Sequence, residues 1–201
     1  MTRPLTLART LSLSLAALAV AVLAPAAQAA GGTIAGKVES TPPKYLAETV
    51  VYLKEVPGPF KARTLDMDQK SMKFIPHVLT ITAGDTVHFL NHDGVDHNVY
   101  SPDGDAYNLG MIKANASGDH VFAKPGAYTQ LCSVHPEMLA YVWVGQNPYA
   151  AAVDDKGKFK IENVPPGTYK LSVWNPKLKA ADQPITVEAG KAAEATFSIK
   201  R

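Results

Sequence analysis

Cys132-Ser133-Val134-His135-Pro136-Glu137-Met138 constrains this chain most: a thiol, an imidazole and a thioether stand within seven residues, and Cys132 is the single cysteine. The segment lies between two β-branched and aromatic runs, residues 127–131 and 141–145, that read as strands. A straight strand would send alternate side chains to opposite faces. A short loop between strands can turn all three donors onto one point.

A fourth donor has to come from elsewhere. The segment Asn91-His92-Asp93-Gly94-Val95-Asp96-His97-Asn98-Val99-Tyr100 continues from an expected strand at 86–91 and offers two histidines. His97 sits where a turn hands over to the next strand, and the amide of the following Asn98 can hydrogen-bond between the two loops. His97 is therefore preferred, with His92 as its rival. A thiolate and two imidazoles in a trigonal plane, with a weak axial thioether, form the blue-copper donor set. Thiolate and thioether favour Cu(I), and imidazole serves both oxidation states. The axial Met and the hydrogen bonds around the sulfur tune the potential. The set His97, Cys132, His135 and Met138 thus predicts one type 1 copper ion.

The N-terminus predicts export. Arg3 and Arg9 precede an apolar run at 11–23, Pro25 breaks it, and Ala27-Gln28-Ala29 offers small residues for cleavage. This reads as a secretory signal peptide over residues 1–29. The run falls short of the ~20 apolar residues that span a bilayer. No cysteine follows it and the two arginines are not adjacent, so neither a lipid anchor nor a twin-arginine signal is indicated. The mature chain is expected to have no membrane span and to be periplasmic or secreted. Loss of the two arginines takes the formal charge of +2 to near zero, which gives no support for nucleic-acid binding. Exported proteins usually use cysteines in disulfide pairs. Cys132 has no partner in the chain, which favours coordination.

The rest of the mature chain predicts an all-β fold. Short runs rich in Val, Ile, Thr, Phe and Tyr, at 33–38, 49–54, 77–82, 86–91, 158–161, 168–174 and 195–199, alternate with Gly, Pro and Asp turns. No segment after residue 30 has a sustained helical period. Such spacing suggests one or two β-sandwiches. All six histidines, the cysteine and every methionine except Met1 fall in the middle of the chain, and the flanks hold none.

The flanks resemble the carboxypeptidase regulatory-like family, a small transthyretin-like β-sandwich. The similar segments are Gly32-Thr33-Ile34-Ala35-Gly36, Val50-Val51-Tyr52-Leu53, Asp155-Lys156-Gly157-Lys158-Phe159 and Pro165-Pro166-Gly167-Thr168-Tyr169. Lys156 departs from that family's pattern by separating Asp155 from Gly157. Two of these segments precede the histidine-rich middle and two follow it. The expected organisation is a metal-binding domain, 66–146, inserted into a second sandwich built from 31–56 and 147–200. Close chain ends make such insertions tolerable.

The middle domain resembles the plastocyanin/amicyanin group of cupredoxins. The resemblance is carried by Asn91…His97-Asn98-Val99, by Cys132-x2-His135-x2-Met138, by the lead-in Lys124-Pro125-Gly126-Ala127-Tyr128, and by Tyr141-Val142-Trp143-Val144. It implies a Greek-key β-sandwich with one type 1 copper. It also implies electron transfer near the C-terminal histidine ligand, a role that falls here on His135, with redox proteins as partners and no enzymatic turnover.

Competing readings are weaker. Structural zinc sites rarely use Met. A dinuclear centre with two bridging thiolates needs a second cysteine, and multicopper oxidases need His-x-His pairs that this sequence lacks. Two functional alternatives remain: a copper-handling protein without a redox role, and a surface- or glycan-binding module in which copper is secondary. Met67 and Met72 are expected to pack around a turn at 68–71, with a second weak copper contact as the minor alternative. His77 and His88 are expected on strands, His120 at the surface, and Tyr169 and Trp174 in the core of the smaller sandwich.

Overall fold

The computed structural model describes residues 30–201; the expected signal peptide, 1–29, lies outside them. The chain begins with β1 (Gly32–Ser40), a 3-10 helix (Pro43–Glu48) and β2 (Val50–Leu53). Next come β3 (Thr64–Gln69), β4 (Phe74–Ile75), β5 (Val78–Thr82), β6 (Thr86–Asn91) and β7 (His97–Ser101). β8 (Tyr107–Ile112), β9 (Ser117–Val121), β10 (Gly126–Leu131) and β11 (Leu139–Gly145) complete the middle of the chain. The last strands are β12 (Ala150–Ala152), β13 (Lys158–Val164), β14 (Gly167–Trp174), β15 (Gln183–Val187) and β16 (Ala192–Ile199). Among the described residues no helix is long and apolar enough to cross a membrane.

The strands form four sheets. Two of them, β4-β3-β6-β9 and β5-β11-β10-β7-β8, use only strands between Thr64 and Gly145. Together they make a Greek-key cupredoxin β-sandwich. The other two, β13-β1-β16 and β12-β2-β14-β15, combine the first two strands of the described chain with the last five. Gly36 of β1 lies against Ala195 of β16, its parallel partner. A Cβ on Gly36 would stand 1.8 Å from the Ala195 carbonyl oxygen, so this position requires glycine.

Alternation along β11 explains how the two pairs of sheets meet. Ala140, Val142 and Val144 point into the sandwich core, with Met67, Ile81, Phe89, Val99 and Phe122. Tyr141 and Trp143 point the other way, where they pack with Val50 and Val78, flanked by Tyr52 and Trp174. A strand covered on both faces reads as a near-continuous hydrophobic run, as β11 does. Each fully buried apolar side chain contributes about 1.5–3 kcal/mol of burial, so this second face is a substantial seam. Asn147 closes the seam by donating from Nδ2 to the carbonyls of Leu53 (2.9 Å) and Lys54 (3.0 Å).

Several local expectations are corrected. The expected turn at 68–71 lies later. β3 runs through Gln69, and the turn is Lys70–Lys73, closed by Lys70 N–H to the Lys73 carbonyl and by the reciprocal bond, 3.0 and 3.2 Å. Strands β3, β4, β8, β9, β12 and β15 are absent from the sequence reading. All but β3 are sheet edges, whose one-sided burial leaves a weak apolar alternation; β3 alternates Leu65 and Met67 with Asp66 and Asp68 and offers no apolar run. β15 also carries Pro184, which an edge tolerates. His77 lies just before β5 and not on a strand. His120 is half-buried, stacked on Tyr107 with ring centroids 3.6 Å apart. Trp174 packs at the seam, while Tyr169 lies against the core of the β1-containing sheets.

Candidate metal centre

The loop between β10 and β11 places its donors where the sandwich core ends. Cys132 and Met138 are 4% and 1% exposed and belong to the same apolar cluster as Phe89 and Val99. A tight turn joins them, in which Met138 N–H donates to the His135 carbonyl at 3.0 Å. Both residues face the interior because the loop reverses direction between them. His135 lies on the outer side of that reversal and is only partly buried. Its neighbour Val134 is 50% exposed.

β7 supplies the opposing histidine. Its first residue, His97, is fully buried. The Nδ1 atoms of His97 and His135 stand 3.0 Å apart, and Cys132 Sγ is 3.7 Å from His135 Nδ1. One donor atom from each of His97, Cys132 and His135 falls within 4.8 Å of the others. A soft sulfur and two imidazole nitrogens converging at the edge of a dry core suit copper.

Asn98 ties the two loops together. Its backbone N–H donates to Cys132 Sγ at 3.3 Å, a bond that orients the sulfur. Its side-chain oxygen accepts from Ser133 N–H at 3.4 Å, and its Nδ2 donates to Asn108 Oδ1 and the Gly110 carbonyl at 2.9 and 2.8 Å. The bridge expected of this side chain therefore exists and reaches β8 as well.

His92 lies outside this cluster. Its side chain is 53% exposed and its Nδ1 is 2.9 Å from Asp68 Oδ1. His88 contacts Asp119 on the outer face of β6. Met67 is buried in the core, and Met72 is 47% exposed in the Lys70–Lys73 turn. The sequence reading missed Asp93, whose Oδ2 lies 2.8 Å from His97 Nε2. The Met72 N–H bond is the main influence holding its carboxyl below the usual range. The bonds from His97 and Ser71 act in the same direction, and burial opposes them. Its one sequence signal is an acidic residue four positions before His97.

Comparisons with known proteins find copper-binding relatives. The family described as copper binding proteins, plastocyanin/azurin family, matches residues 61–145. A second family, described as polysaccharide lyase family 4, domain II, matches residues 124–195. The chain is 32% identical over 79 residues to amicyanin of Paracoccus versutus, covering 37% of this chain and 60% of amicyanin. It is 37% identical over 62 residues to chloroplastic plastocyanin of Chlamydomonas reinhardtii, covering 31% and 42%. The chain thus spans less than two thirds of the length of these two relatives. It is 34% identical over 79 residues to plastocyanin of Ulva prolifera, covering 34% of this chain and 80% of that protein. Among solved structures, a reduced amicyanin mutant aligns with a TM-score of 0.39 at 29% identity, covering 40% of this chain and 81% of the other. On the family match and the Ulva plastocyanin, the chain belongs to the plastocyanin/azurin family of copper-binding proteins.

Proposed function

We propose that this chain is an exported one-electron carrier, not an enzyme, that holds a single type 1 copper ion on His97, Cys132, His135 and Met138. The observation that carries this reading is the convergence of the His97, Cys132 and His135 donor atoms within 4.8 Å. Met138 is buried on the same loop. Copper bound there supplies a Cu(II)/Cu(I) couple.

The surrounding residues do the rest. The apolar cluster beneath Cys132 and Met138 excludes water from the sulfur ligands. Asn98 holds the sulfur and the two loops in one arrangement, so little has to move when an electron arrives or leaves. His135, half-exposed beside Val134, gives the site an edge at the surface on which a redox partner protein can dock.

The strand pairings support a division into a cupredoxin domain, 66–146, inserted into a second sandwich of 31–56 and 147–200. The flanking segments keep their resemblance to the carboxypeptidase regulatory-like family. The polysaccharide lyase family 4, domain II match overlaps the C-terminal part of that sandwich. Residues 1–29 read as a signal peptide, which supports a periplasmic or secreted location.

Copper titration followed by chemical reduction tests the function. One copper per chain with reversible bleaching of a visible band supports electron transfer. Copper that binds but cannot be reversibly reduced would leave a handling protein instead.

A further inference from the structure

We propose that Asp93 is the positioning residue for the copper ligand His97, and that the same carboxylate holds the turn between β3 and β4. This rests on the reading of His97 as a ligand.

Three N–H groups converge on this one side chain. His97 Nε2 is 2.8 Å from Oδ2, Met72 N–H donates to Oδ2 at 2.9 Å, and Ser71 N–H donates to Oδ1 at 2.6 Å. A carboxylate only accepts, so Nε2 of His97 carries the ring proton and Nδ1 keeps its lone pair. That lone pair faces the cluster of His135 Nδ1 and Cys132 Sγ. His97 is fully buried, so bulk water cannot replace the carboxylate. A partner on the distal nitrogen that fixes tautomer and ring orientation is how protein groups orient a metal-bound histidine.

The other two bonds explain a turn that its sequence does not. Ser71 and Met72 both have φ of +54°, a conformation that L side chains rarely adopt. Two-residue hairpin turns of this shape are usually built on Asn-Gly. Successive backbone N–H groups in such a turn form a small anion cradle, and Asp93 fills it from another loop. Asp93 is itself held in place. Its N–H donates to Asn91 Oδ1 at 3.0 Å. The Asn91 Nδ2 donates to the carbonyls of Val95 and Ile112, both at 2.9 Å.

Asparagine cannot replace it. An amide has one acceptor oxygen, and its NH2 must face either the Ser71 N–H or the pair formed by Met72 N–H and His97. In the first case the turn is opposed. In the second, His97 has to accept at Nε2 and its proton moves to Nδ1, towards the copper site.

The test uses the full chain with Asp93→Ala and Asp93→Asn, each also combined with Ser71→Asn and Met72→Gly, which gives the turn its own Asn-Gly. The His97 tautomer is read from imidazole nitrogen shifts in metal-free protein, at one pH where the ring is neutral. Cu(I) affinity is read by competition with a coloured chelator. The parent should show only the Nε2–H tautomer. In the relieved-turn background Asp93→Ala should recover thermal stability, yet show mixed tautomers and about 10–100-fold weaker Cu(I) binding. Retention of the Nε2–H tautomer with affinity within about twofold, in that background, overturns the proposal and leaves Asp93 a turn staple. His97→Ala separates the two readings. Undiminished copper binding in that variant overturns the ligand assignment, whereas the tautomer in metal-free protein bears on Asp93 alone.

Discussion

The backbone N–H of Asn98 points at the sulfur of Cys132, 3.3 Å away, so the residue after one histidine of the cluster fixes the thiol on the opposing loop. Its side chain adds three more bonds, to Asn108, Gly110 and Ser133. Asn98→Ala keeps the backbone bond and removes the other three. At about 1 kcal/mol net for each, the variant should lose roughly 2–4 kcal/mol of stability. Urea unfolding of parent and variant measures the difference. Chelator extraction should also remove copper faster, because the two loops are no longer tied. Equal midpoints and equal extraction rates would contradict this role.

How much of this site could be read from the sequence follows from the range of each contact. Cys132 and His135 share one loop, so their spacing alone announced that they meet. That His97 and not His92 lies beside them was legible through its neighbour Asn98. Asp93 was not legible. It acts on Ser71 and Met72, 22 and 21 residues earlier in the chain, and their positive-φ turn has neither Asn nor Gly to announce it. Most central strands were visible as apolar runs, while the polar central strand β3 and the edge strands β4, β8, β9, β12 and β15 were not, since charge or one exposed side leaves little apolar pattern. Trp174 was expected in the core of the smaller sandwich, yet it is partly exposed and packs at the seam. That depends on the contact between β14, β2 and β11, which no local pattern encodes.

The two loop histidines should separate cleanly. His92 is 53% exposed and paired only with Asp68 at the surface. Exposed pairs contribute about 0–1 kcal/mol. His92→Ala should leave the copper spectrum unchanged and shift stability by no more than about 1 kcal/mol. His97→Ala should abolish the spectrum. The opposite pairing of results would move the ligand to His92.

A pH effect is expected away from the copper site. Burial against Tyr107 and Phe122 lowers the affinity of His120 for a proton below its ordinary value of 6.5, and Asp105 offsets this in part. Well above pH 6.5 the ring is neutral in both folded and unfolded chains. As pH falls from there towards the folded-state value, the unfolded chain takes up the proton first and stability is lost. His120→Phe keeps a stacking ring without the charge. The parent should therefore lose more stability than the variant between about pH 7.5 and pH 5. Parallel stability curves would show that His120 is not held neutral.

The seam should make the molecule unfold as one unit. Trp174 packs edge-on to Tyr141 at 5.4 Å, and Tyr52 lies 4.5 Å from Trp143. Trp174→Ala removes a large part of this contact and should cost about 1.5–3 kcal/mol. In the parent, loss of the copper band and the change in far-ultraviolet dichroism should coincide on heating. Two separate transitions would mean that the seam does not couple the sheets.

The most direct measurement is the visible and EPR spectrum of the mature chain loaded with one equivalent of Cu(II), beside Cys132→Ala. The account predicts an intense visible charge-transfer band and one mononuclear Cu(II) EPR signal per chain. The band should bleach on one-electron reduction, return on oxidation, and be absent in Cys132→Ala. Protein that binds stoichiometric Cu(II) and stays colourless, or a spectrum unchanged by Cys132→Ala, would contradict a copper–thiolate site at Cys132.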